Sequence, residues 1–401
     1  MIYFNMPLYI VAVFLGLTFL MGIYFSRKKT TFQEYAIGNK QFATATLVAT
    51  VLATLYGGGG LMRDVQVTHQ IGLPWIVLGI LEPFGLWIIG TLALRMGPFM
   101  QHLSMAETIG SIYGKYPRIT AALVNICSSI VSITIQINVM SKAINMCFTP
   151  TWIDYRVITI SSTLLLIFYS TFGGVRAITY TDVLQFLTFS IIIPLLAWFI
   201  FIKVGSPISE IVPMLHSYPK FQFNNLFQFN SELVGMVLLL ISCLISYIQP
   251  SLIQRVYMSS SPIQARKVFS YATLFNCIIA FFISLTGIFV LAAAPELSTE
   301  DVWEYIIIHI PPLFKAFLTI SFLAMTMSTA DSNLNVCAIV VSHDIARSLH
   351  KGEKMSDAYQ LKIARSTTFV IGILAMLLAF RCKDLLTLMF CFSAHRQEDN
   401  Q

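Results

Sequence analysis

The chain has 401 residues, of which 56% are hydrophobic and only 11% are charged, and its mean hydropathy is +0.75. Soluble domains carry roughly 25% charged residues, so this composition excludes an ordinary soluble protein. The formal net charge is +6. In so apolar a chain we interpret this charge as a signal of membrane topology and lipid contact, and no nucleic-acid partner is predicted.

Ten apolar stretches can each cross a bilayer, which takes about 20 mostly apolar residues. The first is predicted to remain as a leading helix, because no basic segment precedes it and no small-x-small cleavage site follows it. An eleventh stretch, 384–394, is about half the length of a span and is predicted to form a partial helix before a polar tail at 395–401. Residues 1–394 are predicted to form a single transmembrane domain, with nine complete core helices within 44–380. The ten stretches lie near 7–25, 44–62, 73–94, 119–141, 157–172, 183–202, 233–253, 268–292, 316–342 and 366–380.

Lysine and arginine residues predict the orientation of the chain. If the N-terminus is outside, the inner loops hold 16 of the 25 Lys and Arg residues and the outer segments between helices hold 8. We therefore expect an integral protein of a plasma membrane, such as a bacterial inner membrane, with its N-terminus outside. The inner loops in this arrangement are 26–41, 95–118, 172–182, 254–267 and 343–365.

A polar segment at 325–335 interrupts an otherwise apolar run. Polar groups at bilayer depth are costly and indicate a functional site, and hydroxyl and carbonyl oxygens suit a hard cation such as sodium. On a helix, Ser328, Asp331 and Ser332 share one face, so Asp331 is expected to supply field strength or to hold Ser328 by a hydrogen bond. The alternative for each hydroxyl taken singly is a bond to the carbonyl four residues earlier.

Two spans are predicted to be broken helices. Residues 57–60 are four consecutive glycines, each of which weakens a helix by about 1 kcal/mol relative to alanine. Such a backbone at membrane depth lines a cavity and offers free carbonyls to a cation; close helix packing is the alternative. Pro250 predicts a second break five spans later. Two corresponding breaks predict an inverted repeat of two five-helix halves with the binding site between them.

Other features limit the chemistry. The seven cysteines form no CxxC motif and no His/Cys cluster, so neither a disulfide nor a zinc-type metal centre is predicted, and sodium is the only metal expected. No glycine-rich phosphate loop precedes a lysine, so coupling to ATP has no support and no cofactor is predicted. An enzyme is disfavoured because no nucleophile, base and orienting residue occur at a recognisable spacing. Glu82 has no basic partner nearby in sequence, and we expect it to be neutral, hydrogen-bonded or facing water.

Three motifs together resemble those of the sodium/solute symporters, a family that includes proline, pantothenate, sugar and iodide carriers. Residues 172–177 (FGGVRA), with TYTDVLQ at 179–185, are similar to the family's intracellular signature between its fourth and fifth core helices. Gln254-Arg255 is similar to the end of the sixth core helix, and 328–332 to the eighth. The resemblance covers most of the chain. It implies an all-α polytopic membrane protein with a five-plus-five inverted-repeat (LeuT-like) core, in which the tenth core helix is incomplete.

The resemblance also implies a sodium site between the first and eighth core helices. Its ligands would be the hydroxyls of Ser328 and Thr329 and the main-chain carbonyls of Met325, Val48 and Val51. The polar segment at 325–335 supports the two hydroxyl ligands of this set independently of the resemblance.

Coupling and substrate residues follow from the same resemblance. Asp182, at the inner mouth of the fifth core helix, is expected to influence coupling together with Asp331 and Ser332. The alternative for Asp182 is a helix N-cap, with Gln185 completing a capping box. The substrate contacts map to Leu55, Tyr56, Gly57, Gln136, Gln249 and Asn276, and to Asn138, although interhelical hydrogen bonding is the alternative for Gln136 and Asn138.

Together these inferences predict a sodium-coupled secondary active symporter that imports a small polar organic solute by alternating access. The solute would be an amino acid such as proline, or a carboxylate such as pantothenate. The predicted partners are sodium, the solute and the bilayer, and no obligate protein partner is expected. Three alternatives stay open: an inactive remnant truncated in its tenth core helix, a proton-coupled carrier that uses Asp331 or Asp182, and a sensor module, whose relatives append a soluble signalling domain.

Overall fold

The structure of the protein is a computed structural model, and it describes residues 6–26, 31–147, 154–226, 231–349 and 355–381. The predicted partial helix 384–394 and the tail 395–401 lie outside these residues. Helices dominate the described part, as lipid requires, because each buried backbone polar group must be bonded within its own segment. In chain order the helices are α1 (Met6–Ser26), α2 (Phe32–Ile37), α3 (Thr44–Leu55), α4 (Gly58–Ile71), α5 (Leu73–Leu81), α6 (Phe84–Ala93), α7 (Met105–Tyr113), α8 (Lys115–Cys147), α9 (Tyr155–Val204), α10 (Ile208–Ser217), α11 (Phe223–Leu226), α12 (Ser231–Ser246), α13 (Pro250–Met258), α14 (Pro262–Ala293), α15 (Val302–His309), α16 (Pro312–Ile339), α17 (Arg347–Leu349) and α18 (Asp357–Arg381).

Six of the ten predicted apolar stretches each lie within a single helix. Three others, 44–62, 73–94 and 233–253, each span two helices and the short break between them, and 316–342 extends three residues beyond the end of α16 into a π-helical segment, Val340–Ala346. Two stretches, 157–172 and 183–202, share the single helix α9, which has 50 residues. A straight helix of that length would measure about 75 Å, against a hydrocarbon core of about 30 Å, so α9 must contain two spans. The kink lies at Gly174, whose backbone has φ 54° and ψ −158°.

The two predicted helix breaks are present in the described residues. Helices α3 and α4 meet at 65°, and α12 and α13 meet at 46°. Gly57 is extended and occupies the N-cap position of α4. Pro250 is the first residue of α13, where a missing N–H costs nothing. With α9 counted as two spans, the two breaks lie five spans apart, as an inverted repeat requires.

Helix α16 is the centre of the fold. It packs against α3, α8, α9 and α18, and almost all of its residues from Phe314 to Ile339 are buried. In contrast, the leading helix α1 packs mainly on α9 and α16 and exposes large apolar side chains such as Leu17 and Leu20. The polar segment of α16 is therefore held in the protein interior, facing the broken end of α3.

Candidate functional site

The broken end of α3 leaves main-chain carbonyls without helical partners. The last helical bond runs from the Tyr56 N–H to the Leu52 carbonyl at 3.0 Å, and Tyr56 and Gly57 then adopt extended conformations. The last four carbonyls of any helix have no partner within the helix. Here they belong to residues 53–56, and they point into the protein at membrane depth, where an unpaired carbonyl is costly.

Two hydroxyls of α16 occupy this end of α3. Ser328 Oγ donates to the Ala53 carbonyl at 2.7 Å and lies 3.1 Å from the Met325 carbonyl. Thr329 Oγ1 lies 3.4 Å from the Tyr56 carbonyl and 3.0 Å from the Met325 carbonyl. Ser328 is 0% exposed and Thr329 is 9% exposed. The Thr54 carbonyl lies 3.3 Å from Thr329 Oγ1. Six oxygens, two from hydroxyls and four from carbonyls, therefore converge between the two helices, and we call this group the oxygen cage.

The oxygen cage corrects one part of the sequence prediction. Val48 and Val51 lie inside α3, where the hydrogen-bond ladder of the helix uses their carbonyls. The carbonyls that meet Ser328 and Thr329 instead belong to Ala53, Tyr56 and, at 3.3 Å from Thr329, also Thr54. Met325, Ser328 and Thr329 are brought together as predicted.

A second polar cluster contains a fully buried guanidinium group. Arg255, on α13, donates from Nη2 to Ser332 Oγ at 2.6 Å and to Thr54 Oγ1 at 2.9 Å. The same nitrogen lies 3.4 Å from Asp182 Oδ2, which also accepts a hydrogen bond from Thr50. Arg255 and Asp182 are both 0% exposed. This ion pair therefore joins α13 to α9 within the described core, where no solvent screens it.

The structure changes three expectations about this cluster. Asp331 does not hold Ser328, because its Oδ2 accepts from the Tyr169 hydroxyl at 2.6 Å. Asp182 is no helix cap, since it lies in the interior of α9, beyond the kink. Arg255 is no inner-loop residue, because it belongs to α13 and is completely buried. Ser332 and Asp182 share one partner, the Arg255 guanidinium group.

A cavity of about 130 Å³ lies beside the oxygen cage, along α4. This volume is many times the roughly 10–15 Å³ that one water molecule needs. Of the predicted substrate contacts, four line the cavity: Leu55, Tyr56, Gly57 and Asn276. Tyr56 thus contributes its carbonyl to the oxygen cage and its side chain to the cavity.

The other predicted substrate contacts do not line this cavity. Gln136 lies behind Gly57, where a Cβ added to the glycine would be 2.7 Å from Gln136 Nε2. Asn138, on the same helix α8, is half-buried away from the cavity lining. Gln249 precedes α13 and uses its carbonyl to accept from the N–H groups of Leu252 and Ile253. Gln249 therefore occupies the N-cap position of the second half of a broken helix.

Sequence reasoning missed a set of polar side chains in the cavity wall. Arg63 and Asp64 lie on α4, and Tyr247 lies just before the second break. Glu82, which the sequence singled out without a role, also lines the cavity. Their place in the sequence could have pointed to Arg63 and Asp64, because residues one to two turns after a helix break lie next to the cavity that the break lines.

Hydrogen bonds join several of these side chains along one wall. Tyr56 donates to the Asn276 side-chain carbonyl. The Asn276 amide donates to the Tyr247 hydroxyl at 3.2 Å, and that hydroxyl donates to Glu82 Oε1 at 3.3 Å. The wall connects α3, α14 and the end of α12 to the turn between α5 and α6. In the part of the chain that the structure describes, no group of three or more His, Cys, Asp or Glu side chains could hold a metal ion.

Comparisons with known proteins agree with this arrangement. The family model described as the sodium:solute symporter family matches residues 35–395, and no curated protein sequence matches the chain. The chain is similar to a solved structure of a Na⁺-coupled sialic acid symporter in a substrate-bound, outward-open state with a novel Na⁺ site. The TM-score is 0.84 at 20% sequence identity, over 93% of this chain and 81% of that chain. This likeness shows the fold, the predicted five-plus-five inverted repeat, and the family match shows the membership: the chain belongs to the sodium:solute symporter family.

Proposed function

We propose that the protein is a sodium-coupled secondary active symporter that imports a small polar organic solute by alternating access. The observation that carries this proposal is the oxygen cage, formed by the carbonyls of Ala53, Thr54, Tyr56 and Met325 and the hydroxyls of Ser328 and Thr329. Family membership and the fold support it independently.

The chemistry of the oxygen cage suits sodium. Its six atoms are neutral oxygens, and hard cations with a single charge prefer such donors to thiolate or imidazole. When sodium enters, the hydroxyls of Ser328 and Thr329 would turn their protons away and present lone pairs, while the helix-end carbonyls of α3 supply the negative ends of their dipoles. The ion would thus replace the hydrogen bonds that now satisfy these carbonyls.

Tyr56 provides the physical link between ion and solute. Its carbonyl belongs to the oxygen cage, and its side chain lines the cavity and bonds to Asn276. Sodium would fix the α3 break against α16 and so raise the population of the conformation whose cavity is complete. With the N-terminus outside, α4 leads from the break toward the outer surface, and the cavity would open to that side.

The driving force can be estimated from the membrane potential. A potential of 100 mV contributes about 2.3 kcal/mol for each charge moved inward, which corresponds to about fifty-fold accumulation of the solute. A sodium gradient would add to this value.

Uptake into proteoliposomes tests the proposal. Labelled proline, other amino acids, pantothenate, short carboxylates and sugars are offered with an inward sodium gradient and an inside-negative potassium diffusion potential. We expect sodium-dependent uptake of at least one solute, and its loss in the Ser328→Ala, Thr329→Ala double variant. The matched control is Thr326→Val, because the Thr326 hydroxyl is buried on the same helix but bonds only to carbonyls of its own helix.

Three results would contradict the proposal. Uptake that follows a pH gradient and ignores sodium would indicate a proton-coupled carrier. Sodium-dependent uptake that survives the double variant would remove the oxygen cage from the mechanism. No uptake and no sodium-dependent binding of any solute would support an inactive protein.

A further inference from the structure

The cavity beside the oxygen cage is lined by three side chains of the residue types that carry a formal charge. They are Arg63 and Asp64 on α4, and Glu82 between α5 and α6. No other Lys, Arg, Asp or Glu side chain lines this cavity. With all three charged, the balance inside the cavity is one negative charge.

The only cation of the cavity is already paired. Arg63 Nη2 lies 3.2 Å from Asp64 Oδ1, and Arg63 Nε lies 3.3 Å from the same oxygen. The guanidinium group also lies over the Trp75 ring, 5.4 Å from its centroid. The side chains of Arg63 and Asp64 are 43% and 30% exposed, so both still reach the open space of the cavity.

Glu82 has a neutral partner instead of a cation. Its Oε1 accepts the hydrogen bond from the Tyr247 hydroxyl, and among the described residues it forms no ion pair with Lys, Arg or His. A carboxylate in a partly dehydrated site is costly unless a cation compensates it. The structure thus leaves a place for a positive charge next to Glu82, within the cavity itself.

The polar groups around Glu82 also determine what kind of solute fits. Asn276 uses its amide to donate to Tyr247, and its side-chain carbonyl accepts from Tyr56. These neutral donors are directed along the wall, toward one another and toward Glu82. Tyr56 and Tyr247 add aromatic surface on which an ammonium group is stabilised by the ring quadrupole. A carboxylate near Glu82 would meet a like charge in a site of low dielectric constant, where repulsion is strong.

We propose that the cavity binds solutes that carry a positively charged ammonium group, and that Glu82 is the counter-charge that selects them. This inference rests on the proposed symport function and names the substrate class of the same site. Two sources share this chemistry, namely zwitterions such as amino acids and cations without a carboxylate. Arg63 distinguishes these two sources, because the carboxylate of a zwitterion would lie near the Arg63 guanidinium group, whereas a cation without a carboxylate would gain nothing from it.

Equilibrium binding to the purified full-length protein tests the proposal without requiring transport. The labelled probes are proline as a zwitterion, choline and putrescine as cations, pantothenate as an anion and glucose as a neutral solute, each with and without sodium. We expect at least one ammonium-bearing probe to bind more tightly than pantothenate and glucose. Glu82→Gln, which keeps the size of the side chain, should weaken that binding at least tenfold. The control is Glu296→Gln, because Glu296 is an exposed carboxylate outside the cavity lining.

The variant Arg63→Gln assigns the source of the ammonium group. A zwitterionic substrate should lose affinity in this variant, whereas a cation without a carboxylate should keep or gain affinity. If only pantothenate or glucose binds, or if the ammonium probe binds equally well to Glu82→Gln, the proposal is wrong. If no probe of any class binds, it is wrong as well.

Failure here is distinguishable from failure of the proposed function. Sodium-dependent uptake of a neutral or anionic solute that is unaffected by Glu82→Gln would leave symport intact and overturn the ammonium class alone. An ammonium probe that binds through Glu82 but is not transported with sodium would leave the ammonium class intact and overturn the proposed symport function. Measuring binding and uptake on the same preparation separates the two.

Discussion

Removing the Asp182 carboxylate charge should destabilise the protein strongly. In Asp182→Asn, the Arg255 guanidinium would keep its contacts with Ser332 and Thr54, at 2.6 and 2.9 Å, but would lose the carboxylate 3.4 Å away. Because both side chains are 0% exposed, no water can replace the lost charge. Breaking a buried pair from one side costs about 3–5 kcal/mol.

The assay is unfolding in mixed micelles by a rising fraction of SDS, which gives a free energy for each variant. Asp182→Asn, Arg255→Met and the double variant form a thermodynamic cycle, in which the double variant should recover at least about 2 kcal/mol because no uncompensated guanidinium remains. The Arg63–Asp64 pair is the comparison, since its side chains are 43% and 30% exposed, and Asp64→Asn should cost clearly less than Asp182→Asn. A cost below 1 kcal/mol for Asp182→Asn, or a coupling near zero, would refute the reasoning.

Three further outcomes are expected. Gly287→Ala places a Cβ 2.6 Å from Thr68 Cβ and 2.8 Å from the Val65 carbonyl oxygen, so overpacking should lower the unfolding free energy by about 1–3 kcal/mol. Gly60→Ala, with nothing within 4 Å, is the control, and equal effects would contradict the packing argument. In Gly174→Ala the backbone keeps φ +54° and the new Cβ lies 2.5 Å from Tyr35 Cδ2. The thermal midpoint should therefore fall further than in Gly205→Ala, where φ is +70° but no atom lies within 4 Å. A smaller fall in Gly174→Ala would contradict tight packing at the kink. Burial alone would raise the pKa of Glu107, on α7 outside the spans, but its contacts with His343 and the Leu103 N–H lower this pKa from 4.5 to about 2. Its stabilising contribution is therefore present above pH 4.5 and lost as the pH falls toward 2, so between pH 6 and pH 3 the thermal midpoint of the wild type should fall more than that of Glu107→Gln, and parallel falls would exclude this contribution.

The sequence predicted the helix breaks because their causes are local. A run of glycines weakens a helix wherever it occurs, and Pro250 cannot donate a backbone hydrogen bond. The polar residues on α16 were equally visible, since Ser328 and Asp331 interrupt an apolar span. These signals depend on residue type and spacing alone, without knowledge of any partner helix.

The sequence could not determine which carbonyls meet the hydroxyls. That choice depends on the last backbone hydrogen bond of α3, which the Leu52 carbonyl accepts. A run of glycines leaves the end of a helix uncertain by several residues when only the sequence is known. The predicted Val48 and Val51 lie about one turn too early for this reason. The burial of Arg255 could not be predicted for a different reason: a basic residue near the end of a span usually reaches the membrane surface. Only the tertiary structure shows the two buried oxygens and the carboxylate that hold it in the core.

The cavity charges were the hardest part to predict. Arg63 and Asp64 follow the glycine run after Leu61 and Met62, where a sequence argument places them at the end of a span. Their proximity to Glu82 arises because α5 and α6 fold back beside α4, a contact between separate elements. Substrate contacts in such a fold come from several helices, so their combination becomes visible only when the helices are assembled.

The most direct test of the oxygen cage is the binding of ²²Na⁺ to the purified protein, measured without any solute. We expect saturable sodium binding in the wild type and in Thr326→Val, and at least a tenfold loss of affinity in the Ser328→Ala, Thr329→Ala double variant. Equal sodium affinity in all three proteins would show that sodium binds elsewhere or that the cage serves only to close the end of α3.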